Sequence, residues 1–245
     1  MIADVTDALI LAAGTGSRLQ AGTGLRTPKP LLEIGGQPLI SYTLQSLARA
    51  GVRRFHIVVG ANGDALIDAL RPLLPAGREL IPIPNPEWRL QNGISVLCAA
   101  ASLRAPFFLT MADHLFEFTI LERLQAQGER ERLNLAVDRK IAAVFDLDDA
   151  MKVEVSASGL LTRIGKALET YNAIDTGVFL ASPILFDYLH RAKREGDCAL
   201  ADGVRLMAAD DAVRCVEVGA AWWQDVDTPE MLATAEREVF RLTSL

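Results

Sequence analysis

Short apolar segments alternate with amphipathic segments through the first 138 residues, and this alternation limits the folds available to the chain. Buried strands are predicted at about residues 8–13 and over RRFHIVVG, ELIPIPN, PFFLTMAD and RLNLAVD. Helices are predicted between them over PLISYTLQSLARAG and at residues 64–74, 92–103 and 117–127. Repeated strand–helix units predict an α/β fold with a mostly parallel central sheet and helices on both faces.

The pattern changes after Asp138, where apolar and polar residues alternate. The segments IAAVFDL, MKVEVSASGLLTRIGK and NAIDTGVFL predict antiparallel strands, with SASG as a hairpin turn. Helices at residues 183–194 and 200–208, a strand at 213–218 and a closing helix at 229–242 follow. We predict one domain over residues 1–245, with halves 1–138 and 139–245 and a smaller antiparallel lobe in the second half.

Charge and cysteine content exclude several classes of protein. The 25 Lys and Arg against 31 Asp and Glu give a net charge of −6, which argues against a general nucleic-acid binder. Three scattered cysteines without a CxxC pair argue against a disulfide framework or a zinc site. The first apolar run follows two acids and no basic residue, and no apolar run is long enough for a membrane span. We therefore expect a cytoplasmic protein without a membrane span.

Polar residues follow three of the predicted strands. These are the loop at Gly14, Asp113 and Asp138. Ligands of such sheets bind beyond the carboxyl ends of the strands, so we expect all three to open onto one crevice.

The loop LAAGTGSRLQAGTGLRTPKP after the first strand contains AGTG twice. From Gly14 to Leu32 it carries Arg18, Arg26 and Lys29 and no acid. Glycine N–H groups together with cations suit a triphosphate, although an ordinary turn with surface cations stays open. The dinucleotide fingerprint fails at Leu19, and the GK[ST] triplet of the P-loop is absent from the sequence.

The motif LAAG-x-G-x-R-L followed by PKPL resembles the nucleotidyltransferases that couple a nucleoside triphosphate to a phosphorylated alcohol or sugar. LQNGISVLCA and LTMADH resemble further motifs of that family. MKVEVSASGLLTRIGK, NAIDTGVFL and WWQDVDTPE resemble its CTP:inositol-1-phosphate cytidylyltransferases. The resemblance spans residues 9–230. It implies a Rossmann-like nucleotidyltransferase fold, CTP and a small phosphorylated alcohol as substrates, Mg²⁺ as cofactor, and a nucleotide-binding first half.

The same resemblance implies roles for individual residues. It assigns phosphate or base contacts to Ala12, Ala13, Gly14, Thr15, Gly16, Asn92, Gly93 and Ser95, catalytic contacts to Arg18 and Lys29, and Mg²⁺ to Asp113 and Asp227. Asp225 is the alternative to Asp227 as the second Mg²⁺ ligand. The acceptor candidates in the second half are Asp138, Arg139, Lys152, Lys166 and Asp175. The second AGTG departs from the family pattern and reads as a lengthened loop.

Other interpretations of these residues stay open. Asn92 is also a favoured N-cap, Thr228 and Pro229 suit a helix start, and the two acceptor lysines suit a solvated strand face. His114 either orders the metal site or has a structural role. Trp222 and Trp223 are predicted to be packing residues of the core.

The acceptor alternatives are phosphocholine, an aminophosphonate and a sugar 1-phosphate. The low aromatic content favours a polyol over a quaternary amine. A non-catalytic nucleotide-binding module is the alternative to an enzyme, a dehydrogenase is poorly supported, and a homodimer is left open.

Overall fold

The structure is a computed structural model that describes residues 2, 5–14, 27–61 and 63–243. The following strands occur in this part of the chain: β1 (Asp7–Ala12), β2 (Glu33–Ile34), β3 (Gln37–Pro38), β4 (Arg54–Val59), β5 (Glu79–Pro84), β6 (Phe107–Met111), β7 (His114–Phe116), β8 (Leu133–Asp138), β9 (Lys152–Val155), β10 (Leu161–Gly165), β11 (Ala173–Ala181), β12 (Val213–Glu217) and β13 (Trp223–Asp225).

Helices connect and cover these strands. They are α1 (Leu39–Arg49), α2 (Gly63–Leu70), α3 (Asn92–Leu97), α4 (Phe118–Gln127), α5 (Ile184–Ala192), α6 (Leu200–Ala209), α7 (Pro229–Glu238) and α8 (Phe240–Thr243). The helix α7 begins as the sequence indicates, because the Thr228 side chain accepts a hydrogen bond from the Met231 N–H and Pro229 occupies the first turn. Among the described residues, no helix has the length and apolar character needed to span a membrane.

Nine of the strands form one mixed sheet with the order β10-β9-β11-β6-β1-β4-β5, and β8 joins it between β11 and β12. The predicted parallel pairing is confirmed for β1, β4, β5 and β6. The strand β8 does not lie beside β6, because β11 separates them and pairs antiparallel with both. The antiparallel strands of the second half therefore extend the same sheet.

The hairpin predicted over MKVEVSASGLLTRIGK is confirmed. Strands β9 and β10 pair antiparallel, and the turn between them closes at Gly159, whose φ of +80° favours glycine. The strand predicted over IAAVFDL is wrong. Ile141–Ala143 form a 3-10 turn, and no residue from 141 to 150 is buried. An alternating pattern becomes a strand only where a partner strand and a buried face exist, and this segment has neither.

Three predicted helices are shorter in the structure. Helix α2 ends at Leu70 and continues as a 3-10 turn over Arg71–Leu73, since Pro72 has no N–H to extend the α-helix. Helix α3 ends at Leu97 and the chain continues in turns. The closing helix divides at Val239 into α7 and α8.

The core lies on both faces of the sheet, as predicted. Alternate residues of β1 point to opposite faces, with Leu9 in one apolar cluster and Ile10 in the other. Helices α3, α5 and α6 cover the first face, and helices α1, α2 and α4 cover the second. This double cover leaves the ends of the strands as the place for polar chemistry.

Candidate active site

Lys29 is held at the centre of the site by residues that are far from it in the chain. It lies in a 3-10 turn, Lys29–Leu31, between Pro28 and Pro30, and its side chain is 8% exposed. Its Nζ lies 2.5 Å from Asp113 Oδ2, just after β6, and also contacts Asp227 Oδ1, just before α7. Three residues predicted for catalysis and metal binding therefore meet at one point.

Electrostatics keep this cluster charged. Burial by itself lowers the pKa of Lys29, but the carboxylates of Asp113 and Asp227 outweigh burial and raise that pKa above its usual value. Burial raises the pKa of Asp113, but hydrogen bonds and charge from His114 and Lys29 outweigh it and hold that pKa well below its usual value. At neutral pH the ammonium and the Asp113 carboxylate are both ionised.

The donor set suits a hard divalent cation. Asp113 and Asp227 each direct one oxygen at the Lys29 ammonium, which shows that a single cation can touch both carboxylates. No group of three or more His, Cys, Asp or Glu residues arranged to hold a metal occurs in the described part of the chain. Mg²⁺ is commonly held by one or two carboxylates, with water and substrate phosphates completing its coordination. The residues present fit that arrangement.

Asp225 and Asp227 stand in different surroundings. Asp227 is the one in contact with Lys29, whereas Asp225 pairs with His114 across the β13–β7 ribbon. Burial, together with the nearby carboxylates, raises the pKa of Asp225. The geometry therefore favours Asp227 over Asp225 as the carboxylate that acts together with Asp113.

The described start of the glycine-rich segment lies at the end of β1, which pairs with β6 just before Asp113. Ala12 closes β1, Ala13 is buried and Gly14 is exposed, and a side chain at Gly14 would point into open space. Thr15, Gly16, Arg18 and the second AGTG with Arg26 lie outside the described residues.

The residues predicted to face the nucleotide base connect α3 to its surroundings. Asn92 does not cap its own helix, whose N-cap is Gln91; its Oδ1 accepts a hydrogen bond of 2.8 Å from the Leu200 N–H at the start of α6. Gly93 is packed so closely that a Cβ would lie 2.6 Å from the Cys198 carbonyl oxygen. Ser95 is buried and accepts a hydrogen bond from Asn85 Nδ2.

A cavity of about 880 Å³ reaches Asp227. Its wall includes the predicted residues Asn92, Asp138, Lys166, Asp175 and Asp227, and it also includes His114, Lys140, Asp149, Trp222, Trp223 and Asp225. A cavity of this size, lined by both apolar and charged groups, accommodates a small organic substrate.

The residues predicted to bind the acceptor differ in how many hydrogen bonds and ion pairs they already make within the protein. Asp138 is buried; its Oδ2 accepts from Trp223 Nε1 at 2.8 Å and its Oδ1 from Lys140 Nζ at 2.9 Å. It pairs with Lys140 rather than with Arg139, which lies on the surface against Glu217. Asp138 therefore builds the wall of the cavity. Trp223, predicted as packing, also holds this carboxylate.

Asp175 and Lys152 lie on the neighbouring strands β11 and β9, and Lys166 directly follows β10. Asp175, on β11, accepts a hydrogen bond of 2.7 Å from the Gly177 N–H, and burial raises its pKa to about 6. Lys152 Nζ donates to the Lys166 carbonyl oxygen at 2.8 Å, and Lys166 pairs with Asp149. The Lys152 ammonium therefore contacts the backbone of Lys166, and Lys166 lines the cavity.

Sequence reasoning missed Lys140, Asp149 and the part of the wall that residues 143–146 and 149–151 form. The sequence did contain a signal for Lys140, because it lies two residues after Asp138, where a buried strand ends. The wall carried no usable signal, since its alternation resembles a strand.

A family model described as the MobA-like NTP transferase domain matches residues 8–195. The chain is 32% identical over 235 residues to the bifunctional IPC transferase and DIPP synthase of Aquifex aeolicus, covering 95% of this chain and 51% of that protein. It is 31% identical over 209 residues to the 2-aminoethylphosphonate cytidylyltransferase of Lancefieldella rimae, covering 79% of this chain and 75% of that protein. The chain spans about half the length of the first of these relatives.

Among solved structures, the inositol-1-phosphate CTP transferase from T. maritima superposes with a TM-score of 0.88 at 26% identity. The match covers 99% of this chain and 98% of that one.

Proposed function

The chain belongs to the MobA-like NTP transferase family, and from this premise we propose that it is a Mg²⁺-dependent cytidylyltransferase that converts CTP and inositol 1-phosphate to CDP-inositol and pyrophosphate. The observation that carries the proposal is the buried Lys29 ammonium between Asp113 and Asp227, with Asp227 also in the wall of a cavity of about 880 Å³. The similarity to relatives named as cytidylyltransferase and CTP transferase supports the choice of nucleotide.

The reaction joins two anions. An oxygen of the acceptor phosphate attacks the α-phosphorus of CTP, the bond from that phosphorus to the bridging oxygen breaks, and pyrophosphate leaves with the electron pair. The acceptor phosphate is already ionised, so the attack needs no general base. Catalysis then consists of positioning the two substrates and neutralising their charge.

Lys29 and the two carboxylates divide that work. Asp113 and Asp227 would hold Mg²⁺, which when bound neutralises phosphate charge. Lys29 would then move its ammonium from the carboxylates to the oxygens of the α-phosphate, where charge develops in the transition state. Pro28 and Pro30 restrict the backbone around Lys29 and keep its side chain directed at this point.

The nucleotide would lie along the loop after β1. The backbone of Ala12, Ala13 and Gly14 leads into Thr15, Gly16 and Arg18, which we propose as the β- and γ-phosphate contacts. Asn92 and Gly93, with Ser95 behind them, would border the base and ribose at the start of α3.

The acceptor would occupy the cavity. Lys166, supported by Lys152, would bind its phosphate, and Asp175 would accept hydrogen bonds from its hydroxyl groups. We propose that Asp138 acts from the wall through Lys140, because both of its oxygens already accept hydrogen bonds inside the protein.

A second acceptor has a specific observation in its favour. The identity to the 2-aminoethylphosphonate cytidylyltransferase, 31%, is nearly the 32% found for the IPC transferase. Aminoethylphosphonate is therefore the alternative acceptor, with the same nucleotide and the same residues Lys29, Asp113 and Asp227.

Pyrophosphate release with Mg²⁺ tests the proposal. CTP, UTP, ATP and GTP are each combined with inositol 1-phosphate, 2-aminoethylphosphonate, phosphocholine and glucose 1-phosphate. We expect release with CTP and inositol 1-phosphate, abolished in Asp113→Asn and retained in Asp187→Asn, a matched control on the exposed side of α5. Release with CTP and a different acceptor keeps the reaction class and overturns the substrate. Binding of CTP without release in any combination favours a non-catalytic module.

A further inference from the structure

His114 immediately follows Asp113, and its backbone is fixed from two sides. It begins β7, where it pairs with Asp225 of β13. Its carbonyl oxygen accepts a hydrogen bond of 2.7 Å from Thr43 Oγ1 on α1. The ring of His114 therefore emerges from a well-defined point between the strand end that carries Asp113 and the cavity.

The ring contacts the carboxylate that faces Lys29. Its Nδ1 lies 2.7 Å from Asp113 Oδ1, and because the ionised carboxylate can only accept, Nδ1–H is the donor. The other carboxylate oxygen, Oδ2, lies 2.5 Å from Lys29 Nζ. One oxygen of Asp113 is thus held by His114, and this hydrogen bond directs the second oxygen to the cation position.

Gly177 on β11 supports the opposite edge of the ring. Its φ is +72°, and a Cβ built on it would lie 2.3 Å from His114 Nε2 and 2.5 Å from His114 Cδ2. A side chain at this position would adopt a strained backbone conformation and would push the ring aside. The Gly177 N–H in turn donates to Asp175 Oδ1 at 2.7 Å, so the support of the ring is continuous with the proposed acceptor wall.

We propose that His114 is a positioning residue for the metal site: its Nδ1–H holds Asp113 in the orientation that presents Oδ2 to the cation, and Gly177 holds the ring in place. This inference rests on the proposed function where that function assigns Asp113 to the metal. Groups that orient metal ligands from behind contribute about 10- to 100-fold to metal affinity. A residue that only fills space would contribute to stability and leave metal affinity unchanged.

Two substitutions at His114 separate the hydrogen bond from packing. His114→Asn retains an N–H donor near the position of Nδ1, whereas His114→Leu fills space without a donor. Mn²⁺ alone is titrated into each nucleotide-free protein, and free Mn²⁺ is measured by paramagnetic resonance, with Asp113→Asn as the reference for full loss. The midpoint of thermal unfolding of each variant is recorded in parallel. Gly177→Ala displaces the ring without changing His114.

We expect His114→Leu to raise the Kd for Mn²⁺ about 10- to 100-fold, with His114→Asn within about threefold of the original protein and Gly177→Ala changing in the same direction as His114→Leu. Equal losses in His114→Asn and His114→Leu would overturn the role of the N–H, and unchanged Mn²⁺ affinity in His114→Leu would overturn the inference altogether.

Failure of the proposed function gives a different result. If Asp113→Asn binds Mn²⁺ as well as the original protein, the metal assignment fails and this inference falls with it. If the Mn²⁺ pattern is as expected while no acceptor releases pyrophosphate, the positioning role of His114 stands and the substrate assignment fails.

Discussion

Replacement of Lys29 by Met should make the nucleotide-free protein bind Mn²⁺ more tightly, although it removes a residue that we assign to catalysis. The Lys29 ammonium contacts Asp113 and Asp227 and so occupies the position between their carboxylates. A divalent cation bound by the same two oxygens requires the ammonium to leave. Methionine keeps an unbranched side chain of similar length and carries no charge that competes with the metal.

The size of the effect follows from the burial of this cluster. Two opposite unit charges 4 Å apart attract each other by about 4 kcal/mol at an effective dielectric constant near 20, so two carboxylates hold the ammonium by roughly 8 kcal/mol before desolvation is counted. Desolvation cancels much of this energy, and removal of one partner from a buried pair costs about 3–5 kcal/mol net. The side chains of Asp113 and Asp227 are 26% and 19% exposed, which reduces the cost further. We take about 1.4–2.8 kcal/mol as the remainder, which corresponds to a 10- to 100-fold change in Kd.

Paramagnetic resonance of free Mn²⁺ measures the affinity directly. Lys193→Met is the matched control, because Lys193 caps the C-terminus of α5 and is absent from the cavity wall. We expect the Kd of Lys29→Met to fall by about one to two powers of ten, while pyrophosphate release falls by about 10²–10³. An Mn²⁺ affinity that is unchanged or weaker in Lys29→Met would refute the view that ammonium and metal compete for one position.

Three further predictions concern neighbouring residues. Asp227→Asn should raise KM for Mg²⁺ and lower kcat by more than about 100-fold, because a bound metal contributes several kcal/mol to such a reaction. Asp225→Asn should stay within about tenfold of the original protein in the same steady-state assay, and equal losses in the two variants would contradict the choice of Asp227. Burial raises the pKa of Asp175 from 3.8 to about 6, so the protein should lose stability as the pH rises from about 3.8 to about 6, and KM for the acceptor should fall as Asp175 ionises. Both trends should disappear in Asp175→Asn, as checked by urea unfolding and acceptor kinetics between pH 4 and 8. Trp223→Phe should lower the free energy of unfolding by about 1–3 kcal/mol in urea, because Asp138 Oδ2 loses its Nε1–H donor.

The local pattern of the sequence was sufficient for most of the first half. Apolar runs that end in glycine or acid gave β1, β4 and β6 at nearly their observed bounds, since a strand covered on both faces needs a continuous apolar segment. The family resemblance read from the motifs is confirmed by the match over residues 8–195. These features depend on neighbouring residues and are therefore visible in a single sequence.

Pairings between distant segments were not visible in the same way. Nothing in NAIDTGVFL indicates that β11 inserts between β6 and β8, because its alternation fits any antiparallel partner. The segment IAAVFDL has a strand pattern but no partner, and it became the wall of the cavity instead. Lys29 is 84 residues from Asp113 and 198 from Asp227, so only the fold brings them into contact. The motifs PKPL, LTMADH and WWQDVDTPE had nevertheless identified all three as site residues.

The charges around Lys29 have a consequence for the order in which substrates bind. A metal ion that arrives alone must displace the ammonium, and a triphosphate that arrives alone meets the carboxylates of Asp113 and Asp227. Metal and nucleotide together relieve both conflicts, because the metal takes the carboxylates and the phosphates take the ammonium. Each ligand should therefore raise the affinity for the other by the same factor. Lys29→Met has no ammonium that must find a new partner. Calorimetric titrations of CTP with and without Mg²⁺ should therefore show a smaller increase in CTP affinity on addition of Mg²⁺ than in the original protein. An equal increase would mean that the coupling resides in the metal–phosphate bond alone.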